Sequence, residues 1–473
     1  EGDVVRAADL EKLEALGLAT PAVEWPDIAS SFLLVVVVVV LVAGYIWGFE
    51  PWLLSRERML LLIALVMLAT VVSAKILLPG RPYWQYIFPI SGVAMLLATL
   101  VDAQLAILVT SLLGILVGSV AGDSLELTTI CIVGTVIGAI GIRRSEKLYT
   151  YFIAGAMVAL GTYAVILVYR LSAKDLDLVE LATRAGLAGI NGLLASTLTV
   201  GTFSLLGRLF GITTSMQLLE LSDPTQPLLR RLLNEAPGTY HHSIMVGNLA
   251  ERAAERVGAD PLLVRVGAYY HDIGKLARPY FFIENQFDGH NAHDALDPQT
   301  SARIVAAHVK DGLDLAARYR LPPRVKEFIT EHHGTRLVSF FYQRATQESG
   351  GDVDVSRYRY PGPTPRSKEA GIVMLADSVE AVVRSAKDHS PDNIAAVVGR
   401  VVGERVAEGQ LDDCDLTMRD LETIKQSFTE ILTGMYHPRI EYPSTAEPEP
   451  LRAGQQAEPR AGGEAGNAQQ ESA

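Results

Sequence analysis

The sequence predicts an all-α protein in which a polytopic bundle of transmembrane helices precedes an all-α soluble domain. Residues 30–210 are mostly apolar and divide into seven segments, each close to the roughly 20 residues that cross a bilayer as a helix. Residues 211–442 have the composition of a soluble domain, with helical patterns and no convincing alternating strands. All ten histidines follow residue 240, so side chains suited to metal chemistry concentrate in the soluble part.

Overall composition excludes some classes of function. The chain has 473 residues, enough for two or three domains, and a net charge of −12. A DNA- or RNA-binding protein would be expected to carry a basic stripe, so no nucleic-acid polymer is predicted as a partner. Cys131 and Cys414 lie far apart in different regions, which argues against a disulfide framework and fits a reducing cytoplasm.

The N-terminal residues 1–29 are polar and acidic, without the basic start and apolar core of a signal peptide. A short amphipathic helix is predicted at 8–16. The apolar segments that follow are 30–47, 59–78, 86–101, 103–121, 125–142, 148–169 and 186–210. Only Asp102 separates the third segment from the fourth, so a long hairpin or a re-entrant pair stays open there.

Charged residues between the segments predict the orientation. Basic residues follow the first segment and the fifth, and the positive-inside rule makes both loops cytoplasmic: Arg56, Arg58, Arg143, Arg144 and Lys147. Seven crossings then leave the N-terminus outside and the soluble domain in the cytoplasm. Loop 170–185 would be external although it contains Arg170, Lys174 and Arg184, which is a mild conflict. The chain is thus predicted to be a multi-pass membrane protein with its soluble domain on the cytoplasmic side.

The membrane segments are predicted to anchor the protein or to receive a signal. They contain no run of buried ionisable residues that would mark an ion or proton path. Lys75 and Arg208 are the main exceptions, and each is near a helix end, where a long side chain reaches the interface. The polar and small residues of the last segment are assigned to helix packing: Gly186, Gly189, Asn191 and Gly192.

Helices are predicted in the soluble part at 228–235, 262–271, 297–309, 323–332, 367–386 and 418–435. Four histidine clusters fall on or beside them, together with one aspartate at 377: Tyr240-His241-His242-Ser243, His271-Asp272-Ile273-Gly274-Lys275, Ala307-His308-Val309 and Glu331-His332-His333-Gly334. We expect His271, His308 and His332 to lie at the C-terminal ends of their helices, where they can converge on one cleft.

These residue types suit a centre with two metal ions. Phosphodiester hydrolysis needs an activated water and neutralisation of charge on the phosphoryl oxygens, and two divalent ions provide both. Mixed imidazole and carboxylate ligands suit iron, manganese or zinc. We predict Asp272 as the bridging ligand, because a carboxylate can bind two ions, and Lys275 as a contact to a phosphate oxygen or to the nucleophile. The remaining predicted ligands divide into one set with His242, His271 and Asp377 and another with His308, His332 and His333.

The other histidines have simpler explanations. We interpret His241 as structural or as a support for a ligand, and His389 and His437 as exposed. His290 and His293 lie in a polar loop, where ordinary loop roles compete with substrate contact. The predicted substrate contacts are His293, Arg303, Tyr358 and Arg366.

In its motif order, H…HD…H…HH…D, the sequence resembles the HD phosphohydrolase superfamily, and more closely the seven-transmembrane HD family. The resemblance covers about residues 1–442 and rests on several runs: Leu221-Ser222-Asp223-Pro224, Pro227-Leu228-Leu229, Glu235-Ala236-Pro237-Gly238-Thr239-Tyr240-His241-His242-Ser243, Asn248-Leu249-Ala250-Glu251, His271-Asp272-Ile273-Gly274-Lys275 and Arg359-Tyr360-Pro361-Gly362-Pro363.

This resemblance implies an HD-type metal-dependent phosphodiesterase that holds two iron or manganese ions and hydrolyses cyclic-di-AMP to linear pApA. Carried over by motif, its ligands are the seven named above: His242, His271, Asp272, His308, His332, His333 and Asp377. It also implies that residues 1–29 are the remnant of a larger extracellular domain, so that the domains are 1–29, 30–210, 211–442 and a disordered tail at 443–473. Whether the chain forms a homodimer is left open by the sequence.

Two other functions compete. One is a different nucleotide phosphohydrolase on the same metal scaffold, and the other is a nucleotide-binding receptor whose HD domain is inactive. The seven intact ligand positions argue against the receptor, and the membrane fusion and the loop at 358–367 argue against the general phosphohydrolase. Cyclic-di-GMP cleavage is less favoured, because Glu331-His332-His333-Gly334 continues as Thr335-Arg336-Leu337 without a downstream Gly-Tyr-Pro.

Overall fold

The computed structural model of the chain describes residues 6–15, 25–81, 83–142, 147–171, 177–286, 291–351 and 353–436. Within these ranges every regular element is a helix, and the only strand-like pairing is one antiparallel bridge between Leu337 and Arg359. The all-α prediction is therefore confirmed. Several predictions lie outside the described residues: residues 1–5 and 16–24 of the N-terminal remnant, Arg143, Arg144, Lys174, His290, His437 and the tail at 443–473.

The first half of the chain is a set of apolar helices. A short helix, α1 (Ala7–Ala15), precedes them. Six helices are long and apolar enough to cross a membrane, which makes this a multi-pass membrane protein. They are α2 (Trp25–Phe49), α3 (Glu57–Leu77), α6 (Ala103–Val120), α7 (Leu125–Ile142), α8 (Leu148–Leu171) and α9 (Leu178–Phe210). The remaining predicted segment forms a shorter apolar stretch, α4 (Trp84–Ile87) and α5 (Ile90–Leu100).

The break between α4 and α5 is stabilised by a polar side chain from a neighbouring helix. Pro89 has no N–H with which to continue the ladder of α4, so carbonyl groups near it lose their helical partners. The buried Asn191 of α9 donates from Nδ2 to the carbonyl oxygens of Tyr86 and Phe88, at 3.0 and 3.1 Å. The packing role predicted for Asn191 thus includes satisfying the backbone of an interrupted membrane helix.

Asp102 divides the third apolar segment from the fourth. Its carboxylate caps α6 by accepting hydrogen bonds from the backbone N–H groups of Gln104 and Leu105, at 2.6 and 3.2 Å. Helix α5 has already ended at Leu100. The two segments are therefore separate helices, and a single aspartate is sufficient for the division because its side chain satisfies the first free N–H groups of the new helix.

Small residues bring α8 and α9 together, but not all of those predicted. A Cβ added to Gly192 would lie 2.1 Å from the carbonyl oxygen of Gly155, so both positions require glycine for this approach. Ser196 also joins the helices by donating to the carbonyl oxygen of Tyr151, at 2.9 Å. A Cβ added to Gly186 or Gly189 would meet no described atom within 4 Å, so no close helix contact requires glycine there. The packing role predicted for these two residues is therefore not observed.

One end of the bundle contains a charged network that the sequence analysis did not predict. Arg184, in the second turn of α9, is buried; it donates to the hydroxyl of Tyr86 and pairs with Glu180. Glu126 of α7 lies 3.7 Å from Arg184 and 2.9 Å from Arg170 of α8. These residues sit near helix ends, so their charges are not spread along a span. The network links four helices and does not outline a path through the bundle.

The soluble part is built from ten further helices and several 3₁₀ turns. The α-helices are α10 (Ser215–Leu221), α11 (Pro227–Glu235), α12 (Pro237–Val257), α13 (Pro261–Tyr270), α14 (Pro298–Arg318), α15 (Pro323–Glu331), α16 (Ser339–Ser349), α17 (Lys368–Ser385), α18 (Pro391–Ala407) and α19 (Met418–Met435). The 3₁₀ turns among all the described residues are Pro51–Ser55, Ile273–Ala277, Pro279–Phe281, Ile283–Asn285 and Val355–Tyr358.

Four of these helices, α10, α12, α16 and α18, were not among the segments predicted from the sequence. Helix α12 packs against α13, α17 and α19 and carries one side of the largest buried cluster, including Val246, Leu249 and Ala253. Helix α17 crosses the centre of the domain, and most of its residues are buried. This core fixes the positions of α12, α13 and α17, which carry several of the predicted metal ligands.

We expect Arg184→Met to destabilise the membrane bundle. The substitution removes the buried cation and leaves Glu126 with the more exposed Arg170 as its partner. Loss of a partner from a fully buried pair costs about 3–5 kcal/mol and from an exposed pair under about 1 kcal/mol, so about 2 kcal/mol is expected here. Thermal unfolding in detergent micelles measures it. Arg208→Met, at an exposed position of the same helix, is the matched control, and equal melting temperatures in both variants would contradict a stabilising network.

Candidate metal centre

The predicted ligands reach one region of the soluble domain from five helices, either from within the helix or just after its C-terminal end. His271 and His332 follow the last residues of α13 and α15, as expected. His308 does not, because α14 continues ten residues beyond it to Arg318. His308 reaches the site from the middle of its helix. His242 belongs to α12, and Asp377 lies in the buried α17.

Hydrogen bonds to the backbone orient three of the imidazole rings. The Nδ1 atoms of His271 and His308 each lie 2.6 Å from a carbonyl oxygen one turn earlier, those of Ala268 and Val305. The Nδ1 atom of His332 lies 2.9 Å from the carbonyl oxygen of Phe328. With Nδ1 donating its proton to the backbone, Nε2 keeps a free lone pair, and this is the tautomer that binds a metal ion through Nε2.

Asp272 lies between two groups of imidazoles. Its Oδ1 atom is 3.4 Å from Nε2 of His308 and 3.6 Å from Nε2 of His332. Its Oδ2 atom is 3.1 Å from Nε2 of His271 and 3.7 Å from Nε2 of His242. Each carboxylate oxygen therefore faces a different pair of histidines, which is the arrangement that a carboxylate shared by two ions requires.

Two groups of donor atoms result, and within each group the atoms lie within 4.8 Å of one another. One group contains Asp272, His308, His332 and His333, and the other contains His242, His271 and Asp377. All seven residues named from the sequence are thus brought together. Their assignment as ligands remains a prediction, because proximity alone does not measure metal binding.

The donor groups fit divalent metal ions. Three of their buried atoms, Nε2 of His271, Oδ1 of Asp272 and Nδ1 of His333, have no hydrogen-bond partner among the described residues. Buried polar atoms without partners are costly and uncommon, and here they point towards shared centres. A mixed set of imidazole nitrogens and carboxylate oxygens suits first-row transition metals better than Ca²⁺, which prefers oxygen ligands.

The protonation states of the site favour metal binding. Burial lowers the pKa of His308 to about 4 and holds the pKa of His333 well below its ordinary value. Burial opposes charge on Asp272 and Asp377, but neighbouring histidines, with Lys275 beside Asp272, hold the pKa of each carboxyl well below its usual range. At neutral pH these four ligands therefore present two neutral imidazoles and two ionised carboxylates, as metal ligands must, whereas His242 has to lose a proton before its Nε2 can bind a metal ion.

Glu380 supports one ligand from behind and was not predicted. Its carboxylate oxygen lies 2.5 Å from Nδ1 of His242, whose Nε2 faces Asp377 at 3.0 Å. Burial lowers the pKa of His242, but the two carboxylates outweigh it and raise the pKa to about 9. Such carboxylate–histidine pairs orient metal ligands. The signal was available in the sequence, because Glu380 follows Asp377 by three residues on one helix and so shares its face.

Two glycines allow the chain to form this site. A Cβ at Gly274 would lie 1.8 Å from the carbonyl oxygen of His308, so glycine lets the turn after Asp272 pack directly on α14. A Cβ at Gly238 would lie 1.8 Å from the carbonyl oxygen of Glu284. The start of α12 is therefore held against the turn that contains Glu284.

Lys275 is held between two carboxylates beside the metal-ligand groups. Its Nζ atom lies 2.8 Å from Oδ2 of Asp272 and 2.7 Å from Oε1 of Glu284, and 5.0 Å from the centre of the Phe282 ring. Burial works against the ammonium charge, but the two carboxylates raise the pKa of Lys275, so it stays protonated. Glu284 was not predicted from the sequence; it fixes the direction of the Lys275 side chain.

A cavity of about 590 Å³ opens over this centre. Its wall includes Lys275, His308, His333 and Asp377, together with Arg336 and Tyr360, which the sequence analysis did not name as contacts. The ring of Tyr360 stacks on that of His333, with centroids 4.1 Å apart and planes inclined by 27°. Tyr360 lies in the Arg359-Tyr360-Pro361-Gly362-Pro363 run, so the motif was visible in the sequence but the role of its tyrosine was not.

The four predicted substrate contacts lie outside the cavity wall. His293 and Tyr358 are buried elsewhere: His293 binds the carbonyl oxygen of Phe281 at 2.9 Å, and Tyr358 packs in a small apolar cluster with Phe341. Arg303 and Arg366 are exposed. Sequence order near the histidine motifs does not determine which way a side chain faces.

Among the described residues, the other histidines take no part in the donor groups. His241 is exposed and packs edge-on against Tyr240, with ring centroids 5.7 Å apart. His389 is partly buried and stacks on Tyr436 at 4.2 Å, so the expectation that it is exposed was wrong.

Comparison with known proteins places these features in context. A family model described as "7TM receptor with intracellular HD hydrolase" matches residues 25–214, and the HD domain model matches residues 239–382. The cyclic-di-AMP phosphodiesterase PgpH of Bacillus subtilis is 36% identical over 465 residues, covering 94% of this chain and 64% of that protein. PgpH of Listeria monocytogenes is 37% identical over 365 residues, covering 76% of this chain and 50% of the relative.

The chain therefore spans between half and two thirds of the length of these relatives. Among solved structures, the HD domain of L. monocytogenes PgpH in complex with cyclic-di-AMP is 42% identical, with a TM-score of 0.44; the match covers 45% of this chain and all of that chain.

Replacement of Asp272 by alanine is expected to lower the metal content of the purified protein to less than half of the wild-type value. The reason is that both donor groups lose a carboxylate oxygen that lies between them. Elemental analysis by inductively coupled plasma mass spectrometry gives the number of ions per chain. Asp314→Ala, at an exposed position on α14, is the control and should keep its metal. Equal metal content in the two variants would refute the bridging position of Asp272.

A Glu380→Gln variant should bind metal more weakly by about 10- to 100-fold, the usual effect of losing a carboxylate behind a ligating histidine. The glutamine keeps the size of the side chain but removes the charge that orients His242. Competition with a metal-binding dye measures the dissociation constant. Glu404→Gln, at an exposed position of α18, serves as the control. An unchanged constant would mean that Glu380 has only a packing role.

Proposed function

This chain belongs to the family of seven-transmembrane proteins with an intracellular HD hydrolase domain, and from that premise we propose that it is a membrane-anchored phosphodiesterase that hydrolyses cyclic-di-AMP to linear pApA. The observation that carries the proposal is the position of Asp272, whose two oxygens face two separate groups of histidines. The named activity of the two PgpH relatives supports the choice of substrate.

Two divalent ions, iron or manganese, would be held by the seven residues of the two donor groups. When bound, such a pair activates a water for attack on phosphorus and offsets the charge on the phosphoryl oxygens. The chain's own residues have separate tasks. Asp272 contributes an oxygen to each group, and Glu380 keeps His242 in position. Asp272 and His271 are almost completely buried, so bulk water has little access to their side chains.

Lys275 is the residue best placed to assist the reaction directly. It is protonated, lines the cavity and lies next to Asp272, so its ammonium group can donate to a phosphate oxygen. Glu284 holds Lys275 in this position by accepting a second hydrogen bond from the same ammonium group. The cavity of about 590 Å³ falls in the range of ordinary ligand pockets, so it has room for more than a single phosphate group. These features favour a dinucleotide over inorganic phosphate as the ligand.

The proposal also gives the protein a place in the cell. The membrane helices would hold the HD domain at the cytoplasmic face of a bacterial inner membrane, with the lipid bilayer as a lasting partner. Arg56, between α2 and α3, and Arg58, in the first turn of α3, support this orientation through the positive-inside rule. Regulation of the hydrolase by the membrane part and a homodimeric state stay predictions.

Activity can be tested on the full chain in detergent micelles loaded with Mn²⁺ and given cyclic-di-AMP, cyclic-di-GMP or AMP. We expect pApA from cyclic-di-AMP, no comparable product from the other two, and loss of the activity after treatment with a chelator. Asp272→Ala should lower kcat by about 1,000-fold or more, the scale of barrier stabilisation that charged groups at a reacting centre supply. Chromatographic separation of the nucleotides provides the measurement.

Three results would contradict the proposal. Hydrolysis that survives full removal of metal would exclude the two-ion centre. Preferential cleavage of cyclic-di-GMP would assign a different substrate. Tight binding of cyclic-di-AMP without any turnover would favour a nucleotide receptor.

A further inference from the structure

Arg336 has a fixed position in the wall of the cavity. It lies three residues after His333, and its backbone is held on both sides: its N–H donates to the carbonyl oxygen of His333 at 3.2 Å, and its carbonyl oxygen accepts from the N–H of Tyr360 at 2.9 Å. The guanidinium group donates from Nη1 to the hydroxyl oxygen of Ser378, at 3.0 Å. Because Ser378 follows Asp377, Arg336 is directed to the edge of the metal-ligand groups.

The charge of Arg336 is not matched by a nearby carboxylate. Three cationic side chains line the cavity in the described part of the chain, and two of them form ion pairs: Lys275 with Asp272 and Glu284, and Arg384 with Glu380 at 3.4 Å. No described carboxylate lies within ion-pair distance of Arg336.

A second arginine increases the cost of this charge. Arg405 is buried and donates to the same Ser378 hydroxyl from Nε, at 3.3 Å, while its own charge is paired with Glu408 at 2.6 Å. Burial, followed by the proximity of Arg405, lowers the pKa of Arg336. A partly buried guanidinium that is unpaired and next to another cation is unfavourable unless an anion from outside the chain approaches it.

From this arrangement we infer that Arg336 binds a phosphate group of the ligand and that it determines specificity for phosphate-bearing ligands in this cavity. Guanidinium suits the task, because its planar set of donors matches two phosphate oxygens at once. The identification of that ligand as a cyclic dinucleotide rests on the proposed function. Asp377 and Glu284 also line the cavity, with Asp272 next to Lys275, and these carboxylates oppose an anion. Binding should therefore require the divalent ions that the donor groups are suited to hold.

The test measures binding without turnover. The full chain in detergent micelles, loaded with Mn²⁺, is titrated calorimetrically with the bis-phosphorothioate analogue of cyclic-di-AMP, which resists hydrolysis. Arg336→Gln should raise the dissociation constant about tenfold or more, the effect of losing a hydrogen bond between two charged groups. Arg336→Lys keeps the charge without the planar donors, so its dissociation constant should lie between those of the wild type and Arg336→Gln. Arg357→Gln, exposed and paired with Asp354 at 3.3 Å, is the matched control and should bind as the wild type does.

Metal content is measured in every variant, so that a structural effect is recognised. Weaker binding in Arg336→Gln with full metal content and partial recovery in Arg336→Lys support the inference. An unchanged dissociation constant overturns it, and so does a loss of metal in both variants, which would make Arg336 a structural residue.

Turnover of cyclic-di-AMP separates this inference from the proposed function. A wild-type protein that binds the analogue through Arg336 but does not hydrolyse cyclic-di-AMP contradicts the proposed function alone. Hydrolysis by the wild type together with unchanged affinity in Arg336→Gln contradicts this inference alone. A wild-type protein that does not bind the analogue overturns the inference as well.

Discussion

The arrangement of the soluble domain depends on the carboxylate of Asp272, which is almost completely buried among imidazole rings and an ammonium group. An isolated charge in such a place would be strongly disfavoured, and a folded protein keeps it only where cations or hydrogen-bond donors surround it. Here Lys275 supplies one cation, and the two donor groups leave room for more. The buried histidines and carboxylates thus stabilise one another only as a set, which is why they come from helices widely separated in sequence.

Packing keeps this set in register. The imidazoles cannot rotate freely, because backbone carbonyl oxygens of their own helices fix three of the rings and Glu380 fixes a fourth. Helices can be brought this close only where side chains are absent, as at Gly274 against α14. The rigid apolar core beneath α12 and α17 transmits this order to the site, so that the chemistry rests on elements and not on loops.

The membrane half follows the same physical rule with different residues. In a bilayer each polar backbone group must find its partner within the protein, and Asn191 supplies donors where Pro89 interrupts a helix. Arg184 is buried and Glu126 is partly buried. Their charges offset each other, and both side chains form a hydrogen bond with the hydroxyl of Tyr86. In the soluble site, unsatisfied ligand atoms such as Oδ1 of Asp272 and Nε2 of His271 lie close together, and they mark the place where metal ions are expected.

The sequence by itself determined the helical class, the division into an apolar and a soluble half, and the candidate ligands, because these depend on composition, periodicity and the order of residues along the chain. Residues such as His242 and Asp377 could be named together because few side chain types perform metal chemistry. Contacts across the fold could not be read in the same way. That Glu380 supports His242, that Arg336 and Tyr360 face the cavity, and that Arg303 and Tyr358 do not, depends on which face of each helix or turn is buried. Only the packing of the helices against one another decides this, since neighbouring residues on a helix point about 100° apart.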